Sequence, residues 1–172
     1  MSREGESQIC RCRQTVFIQK LKGNFYMEKV FISGTAGFGA KAITALPNGV
    51  EIELDKIMKW HKHVLIGDCQ GIDTLVQSYL LVHGYENVTV YCSGTRCRNI
   101  LNPRWNIKRI AVPVDVTGRA FFAVKDKAMA DDADYGLAIW DGKSVGTRNN
   151  IRNLKAQHKD VIVYRTDLCG FK

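Results

Sequence analysis

Apolar residues in this chain gather into five short runs, at 30–33, 63–66, 88–91, 135–140 and 161–164. Each run is continuous rather than alternating, as expected of strands buried on both faces. The intervening segments carry a helical period. Val50, Leu54, Ile57 and Met58 share one face after Pro47, which suits a helix's first turn. Leu75, Val76, Tyr79 and Leu80 mark a second helix over 72–82, with Gly84 as its stop. Phe121, Phe122, Val124 and Met129 mark a third over 118–130, and a fourth covers 147–157. The segment 93–116 reads as irregular and basic. Strands alternating with helices predict an α/β fold: a Rossmann-like three-layer α/β/α domain with a mainly parallel five-stranded sheet.

Residues 1–26 show no sustained period. They read as an N-terminal extension, either flexible or adding an edge strand through Val16, Phe17 and Ile18. Residues 27–172 read as one Rossmann-like domain, opening on the charged Met27-Glu28-Lys29 that feeds the first strand. No internal repeat or low-complexity segment interrupts it.

The net charge of +8 favours anionic partners. Much of the excess lies in Arg3, Arg11, Arg13, Lys20 and Lys22, and in the 96–109 stretch, which contains no acid. Trp105 stands among those cations. Either the arginines grip phosphate while Trp105 stacks on a base, or the loop is solvated and Trp105 folds into the core. Of the six cysteines, Cys10 and Cys12 are too close to clamp a metal, and Cys92 and Cys97 lack a second pair. No metal and no cofactor is expected. No signal-like segment opens the chain and no apolar run approaches the roughly 20 residues of a membrane span, so reduced thiols, a cytoplasmic location and no membrane partner are expected.

Three loops follow three strands and should gather on one rim of the sheet, where open α/β sheets bind ligands. The first holds Ser33, Gly34, Thr35 and Gly37, small residues that let backbone N–H groups approach an anion. The second, Gly67-Asp68-Cys69-Gln70-Gly71-Ile72-Asp73, exposes amides at a helix start; Asp68 and Asp73 either serve a ligand or cap and favour the helix dipole. The third runs from Asp141 to Thr147. There Asp141 offers a carboxylate to a sugar hydroxyl, and Gly142, Lys143, Ser144, Gly146 and Thr147 bring donors to a phosphate at a helix N-terminus. Its structural alternative is an Asp-Gly turn and a plain helix start. Arg98 and Arg119 complete the set as cations facing the rim.

These loops resemble those of the SLOG superfamily, which includes the lonely-guy phosphoribohydrolases and the DNA-processing protein A family. The resemblance rests on Ile32-Ser33-Gly34, on residues 67–73, and on Met129-Ala130-Asp131-Asp132-Ala133-Asp134 followed by Asp141-Gly142 and Gly146-Thr147. The neighbouring nucleoside deoxyribosyltransferase group is similar in the same strand, Asp-Gly, Gly-Thr and helix arrangement. The resemblance implies a nucleotide ligand, cleavage or exchange of N-glycosidic bonds, and pairing into homodimers. The families place a glutamate shortly after Gly-Thr, where this chain has Arg148-Asn149-Asn150. Asn150 can hydrogen-bond a ribose hydroxyl but cannot act as a carboxylate nucleophile.

Three functions follow. The first is a module that holds a nucleotide or sugar phosphate. The second is an N-glycosidic hydrolase or transferase of nucleotides, with Asp141 or Asp73 supplying the catalytic charge. The third is single-stranded nucleic-acid binding through the basic stretches.

Overall fold

The computed structural model describes residues 26–36 and 44–168. The expectations for residues 1–25, including the edge strand, and for Gly37, Cys10 and Cys12 lie outside the described residues. Six parallel strands form one sheet: β1 (Lys29–Gly34), β2 (His63–Gly67), β3 (Val88–Ser93), β4 (Asn106–Ile110), β5 (Tyr135–Trp140) and β6 (Val161–Arg165). Their spatial order is β4-β3-β2-β1-β5-β6. The chain therefore walks outward from β1 to β4 and returns to the other side of β1, which makes β1/β5 the point where strand order reverses.

Four helices cover the sheet: α1 (Asn48–Lys59), α2 (Ile72–Val82), α3 (Gly118–Asp132) and α4 (Val145–Ala156). Pleat alternation divides the core. Val30, Ile32, Val64, Ile66, Val88 and Val90 face α1 and α2, whose Val50, Leu54, Ile57, Ile72, Val76 and Leu80 are fully buried against them. On the opposite face Phe31, Leu65 and Tyr91 pack on Met129 and Ala130 of α3 and Leu154 of α4. This is the three-layer Rossmann-like architecture expected.

Three expectations are corrected. The sheet has six strands rather than five, because the segment read as irregular contains β4. Its Asn-Ile-Lys-Arg-Ile sequence is largely exposed at the sheet edge, so no apolar run announces it. Pro47 lies at the N-cap of α1 with an extended ψ of 143°, not inside the first turn. Cys92 and Cys97 form a disulfide, with Cα atoms 5.2 Å apart, so these two are not the reduced thiols expected. Cys69 is a free thiol. Trp105 resolves to the core reading: it is 3% exposed and its Nε1 donates to Tyr85 O at 2.9 Å. No helix among the described residues is long and apolar enough to cross a membrane.

Candidate functional site at the carboxyl rim

The second loop forms the centre of the rim. Gly67 ends β2, and Gly71 adopts a φ of +91° at the N-cap of α2, a conformation that favours glycine. Between them Asp68 is almost fully buried. Its carboxylate accepts from Arg98 in a bidentate fork, Nη2 to Oδ1 at 2.8 Å and Nε to Oδ2 at 3.3 Å, and from the Arg98 backbone N at 2.9 Å. Burial works to raise the Asp68 carboxyl, but the hydrogen bonds and charge of Arg98 outweigh it and hold it below the usual carboxylate value. These two residues, expected separately as ligand contacts, are joined to each other across the rim.

Gln77, fully buried on α2, fixes the same region. Its Nε2 donates to Gly67 O at 3.0 Å and its Oε1 accepts from Leu101 N at 3.1 Å. The segment carrying Arg98 is thereby tied to the end of β2. Sequence reading missed Gln77, since a polar residue on a helix reads as solvent-facing.

Beneath this pair sits a buried charge cluster. Asp73, in the first turn of α2, accepts from Cys69 N through Oδ2 at 3.1 Å. Burial pushes its carboxyl up to about 6, against the attraction of Lys125 and the Cys69 hydrogen bond. Lys125 of α3 is 4% exposed and donates to Asp126 at 2.7 Å. Burial works against its ammonium, yet Asp126 and Asp73 hold its pKa above the usual lysine value. Asn150 of α4, also buried, donates to the other Asp126 oxygen at 3.5 Å. Gly67 leaves the room: a side chain there would overlap Asp73 Oδ2 and come within 2.8 Å of Lys125 Nζ. Lys125 and Asp126 were not anticipated, because a Lys-Asp pair in a helix reads as an exposed face.

Beside the cluster opens a cleft of about 310 Å³, lined by Asp68, Ser93, Thr95, Arg96, Arg98, Phe121 and Phe122. Arg98 lies over the Phe122 ring, 4.1 Å from its centroid. Ser93 is buried, and its Oγ is the one buried side-chain oxygen among the described residues with no hydrogen-bond partner. The cleft thus combines aromatic edges, an exposed cation in Arg96, and an unmatched hydroxyl. Arg119 is exposed near the start of α3.

The third loop closes the rim at β1/β5. Asp141 Oδ1 accepts from Lys143 N at 2.9 Å and Ser144 N at 2.7 Å, so the carboxylate holds the turn into α4. Partial burial works to raise it, but those amides outweigh that and keep it below the usual value. Ser144 is the N-cap, which places Gly146 and Thr147 within the first turn of α4. Gly142 has a φ of +76°, and Lys143 is exposed. Thr35 bridges the loops, its Oγ1 accepting from Asp141 N at 3.2 Å and its N donating to Ile139 O at 3.1 Å. Gly34 serves packing: a side chain there would overlap Ile72 at the start of α2. Ser33 is buried at the end of β1 beside Ala138 of β5.

Fold and rim together define a parallel-sheet α/β protein with its polar cluster and its cleft at the carboxyl ends of the strands. No protein-family model matches the chain, and no curated protein is similar to it in sequence. Among the described residues no group of three or more His, Cys, Asp or Glu side chains is arranged to hold a metal ion.

Proposed function

We propose that this chain binds a nucleotide or nucleotide-derived ligand at the carboxyl rim of its sheet. The observation that carries the reading is the rim cleft, where Phe121 and Phe122 line an aromatic wall for a base and Arg96 is an exposed cation for phosphate. The resemblance of the three loops to the SLOG superfamily supports the same ligand class, as does the net charge of +8. The helix start at Ser144, with Lys143 beside it, adds further donors at the strand-order reversal.

N-glycosidic cleavage is the second reading, and the burial of the Asp73 carboxyl beneath the Asp68–Arg98 pair beside the cleft favours it. Asp73 holds a proton up to about pH 6, the range in which a carboxylic acid can protonate a departing base. Asn150, in the Arg148-Asn149-Asn150 stretch where the families this chain resembles place a glutamate, is engaged with Asp126. Single-stranded nucleic-acid binding loses its stacking residue, since Trp105 is enclosed in the core, and Arg104 and Lys108 are paired with Glu86 and Asp132.

Ligand-observed proton NMR with nucleoside monophosphates, NAD and ADP-ribose tests these readings over hours. Saturation transfer without free base is the expected result. Free base appearing favours the hydrolase, and silence across the panel overturns nucleotide binding.

A further inference from the structure

The disulfide at the end of β3 stands apart from the charge cluster, yet it closes the loop that forms part of the cleft wall. Cys92 is fully buried in the sheet and Cys97 is half-buried beyond it. Their bond encloses only Ser93, Gly94, Thr95 and Arg96, and three of these four line the cleft. Arg98, with its fork to Asp68, follows one residue later. The enclosed loop sits tightly: Gly94 has a φ of +74°, and a side chain there would meet Phe121 at 3.0 Å. Gly94 N donates to Ile110 O at 2.8 Å, and Arg109 Nε donates to Thr95 O at 3.2 Å.

A bond that closes so short a loop removes less entropy from the unfolded chain than one that closes a long loop. It is well placed to hold one loop in one shape. We propose that Cys92–Cys97 is a reversible thiol–disulfide exchange site whose redox state sets the shape and ligand affinity of the rim cleft. The co-reactant is a dithiol. Its thiolate attacks Cys97 Sγ, the less buried sulfur, the S–S bond breaks, and Cys92 leaves as a thiolate that takes up a proton. The reductant's second thiol, losing its proton, then displaces Cys97, which is protonated in turn. Two electrons and two protons pass to the protein, and the dithiol becomes its own disulfide. Reduction removes the covalent tie between Cys92 and Cys97; Ser93 stays in β3 and Arg98 on Asp68, so Gly94 to Cys97 are left held between those anchors by the two hydrogen bonds to the β4 edge. The effect on affinity rests on the nucleotide-binding reading; the exchange and the change of shape do not.

The test equilibrates the full chain in dithiothreitol buffers of stepped oxidised-to-reduced ratio, alkylates free thiols and assigns them by peptide mass spectrometry. Amide NMR signals and AMP titrations are recorded at both extremes. Cys92 and Cys97 should become alkylated together on reduction and be protected again on reoxidation. Signals of Gly94 to Arg98 and of Phe121 should shift, and AMP affinity should change several-fold. Cys97→Ser should hold the reduced pattern in oxidising buffer, whereas Cys69→Ser should titrate like the native chain. Both thiols alkylated at the oxidising extreme, a bond that excess dithiothreitol leaves intact, or cleavage with no shift at the cleft would each overturn the proposal. Cleft signals that move while AMP binds neither state would uphold the exchange site and refute the nucleotide reading instead.

Discussion

Replacing Asp73 by asparagine should change how stability depends on pH, in a direction set by its burial. The Asp73 carboxyl titrates at about 6 in the folded chain against an ordinary value of 3.8. A raised folded value means that the folded state binds the proton more tightly. Its stabilising contribution is therefore complete below the unfolded value and is lost as pH rises through about 6. The full difference is roughly 3 kcal/mol, of which roughly 2 kcal/mol falls between about pH 4.5 and about pH 7.5. Asparagine has the same shape, keeps an oxygen for Cys69 N, and does not titrate. Urea unfolding followed by tryptophan fluorescence should show the native chain losing roughly 2 kcal/mol relative to Asp73→Asn between those two pH values. A stability difference that stays flat across that range would refute the reasoning, and one that grows in the native chain's favour would reverse its sign.

Three other substitutions test the rim. Lys125→Met leaves Asp126 and Asp73 without their buried cation and should cost roughly 3 kcal/mol at neutral pH, measured by urea unfolding; a loss below about 1 kcal/mol would place the ammonium in water. Gly34→Ala drives a methyl group into Ile72, whose Cβ is fixed by the start of α2, and should lower stability by about 1–3 kcal/mol in thermal melts. Asp141→Ala removes the acceptor for Lys143 N and Ser144 N, so a loss of about 1 kcal/mol with unchanged far-UV circular dichroism is expected. The same variant should bind AMP more weakly; native-like affinity would move the ligand away from the β5 rim.

Four of the five strands that the sequence disclosed are buried on both faces; the fifth, β6, carries an apolar run although it is an edge strand with Ile162 and Val163 exposed. β1, β2, β3 and β5 are nearly continuous apolar runs because helices cover them above and below. β4 escaped notice for the opposite reason. At the sheet edge its Lys108 and Arg109 stay in water, and parallel pairing with β3 alone makes it a strand. α2 matched its expected span of Ile72–Val82, since Gly71 and Gly84 bound it with positive φ values. α3 ran two residues beyond its expected end at 130, to Asp132, where Asp131 pairs with Lys127 and Asp132 with Lys108.

At the rim, residue type was legible but partnership was not. Asp68 and Arg98 each bear a signature of ligand contact, yet thirty positions separate them and only the fold brings them into a fork. Asp141 likewise carries the signature of a sugar contact, while its Oδ1 holds the backbone of its own turn. The less visible residues are Lys125, Gln77 and Ser93, whose types are ordinary on a helix or at a strand end. What marks them is burial: a buried ammonium must be neutralised, a buried amide must be bonded, and a buried hydroxyl without a partner lines an opening. Ser93 thus links the disulfide to the cleft, since the residue lies inside the disulfide-closed loop and lines the cleft while its Oγ has no hydrogen-bond partner.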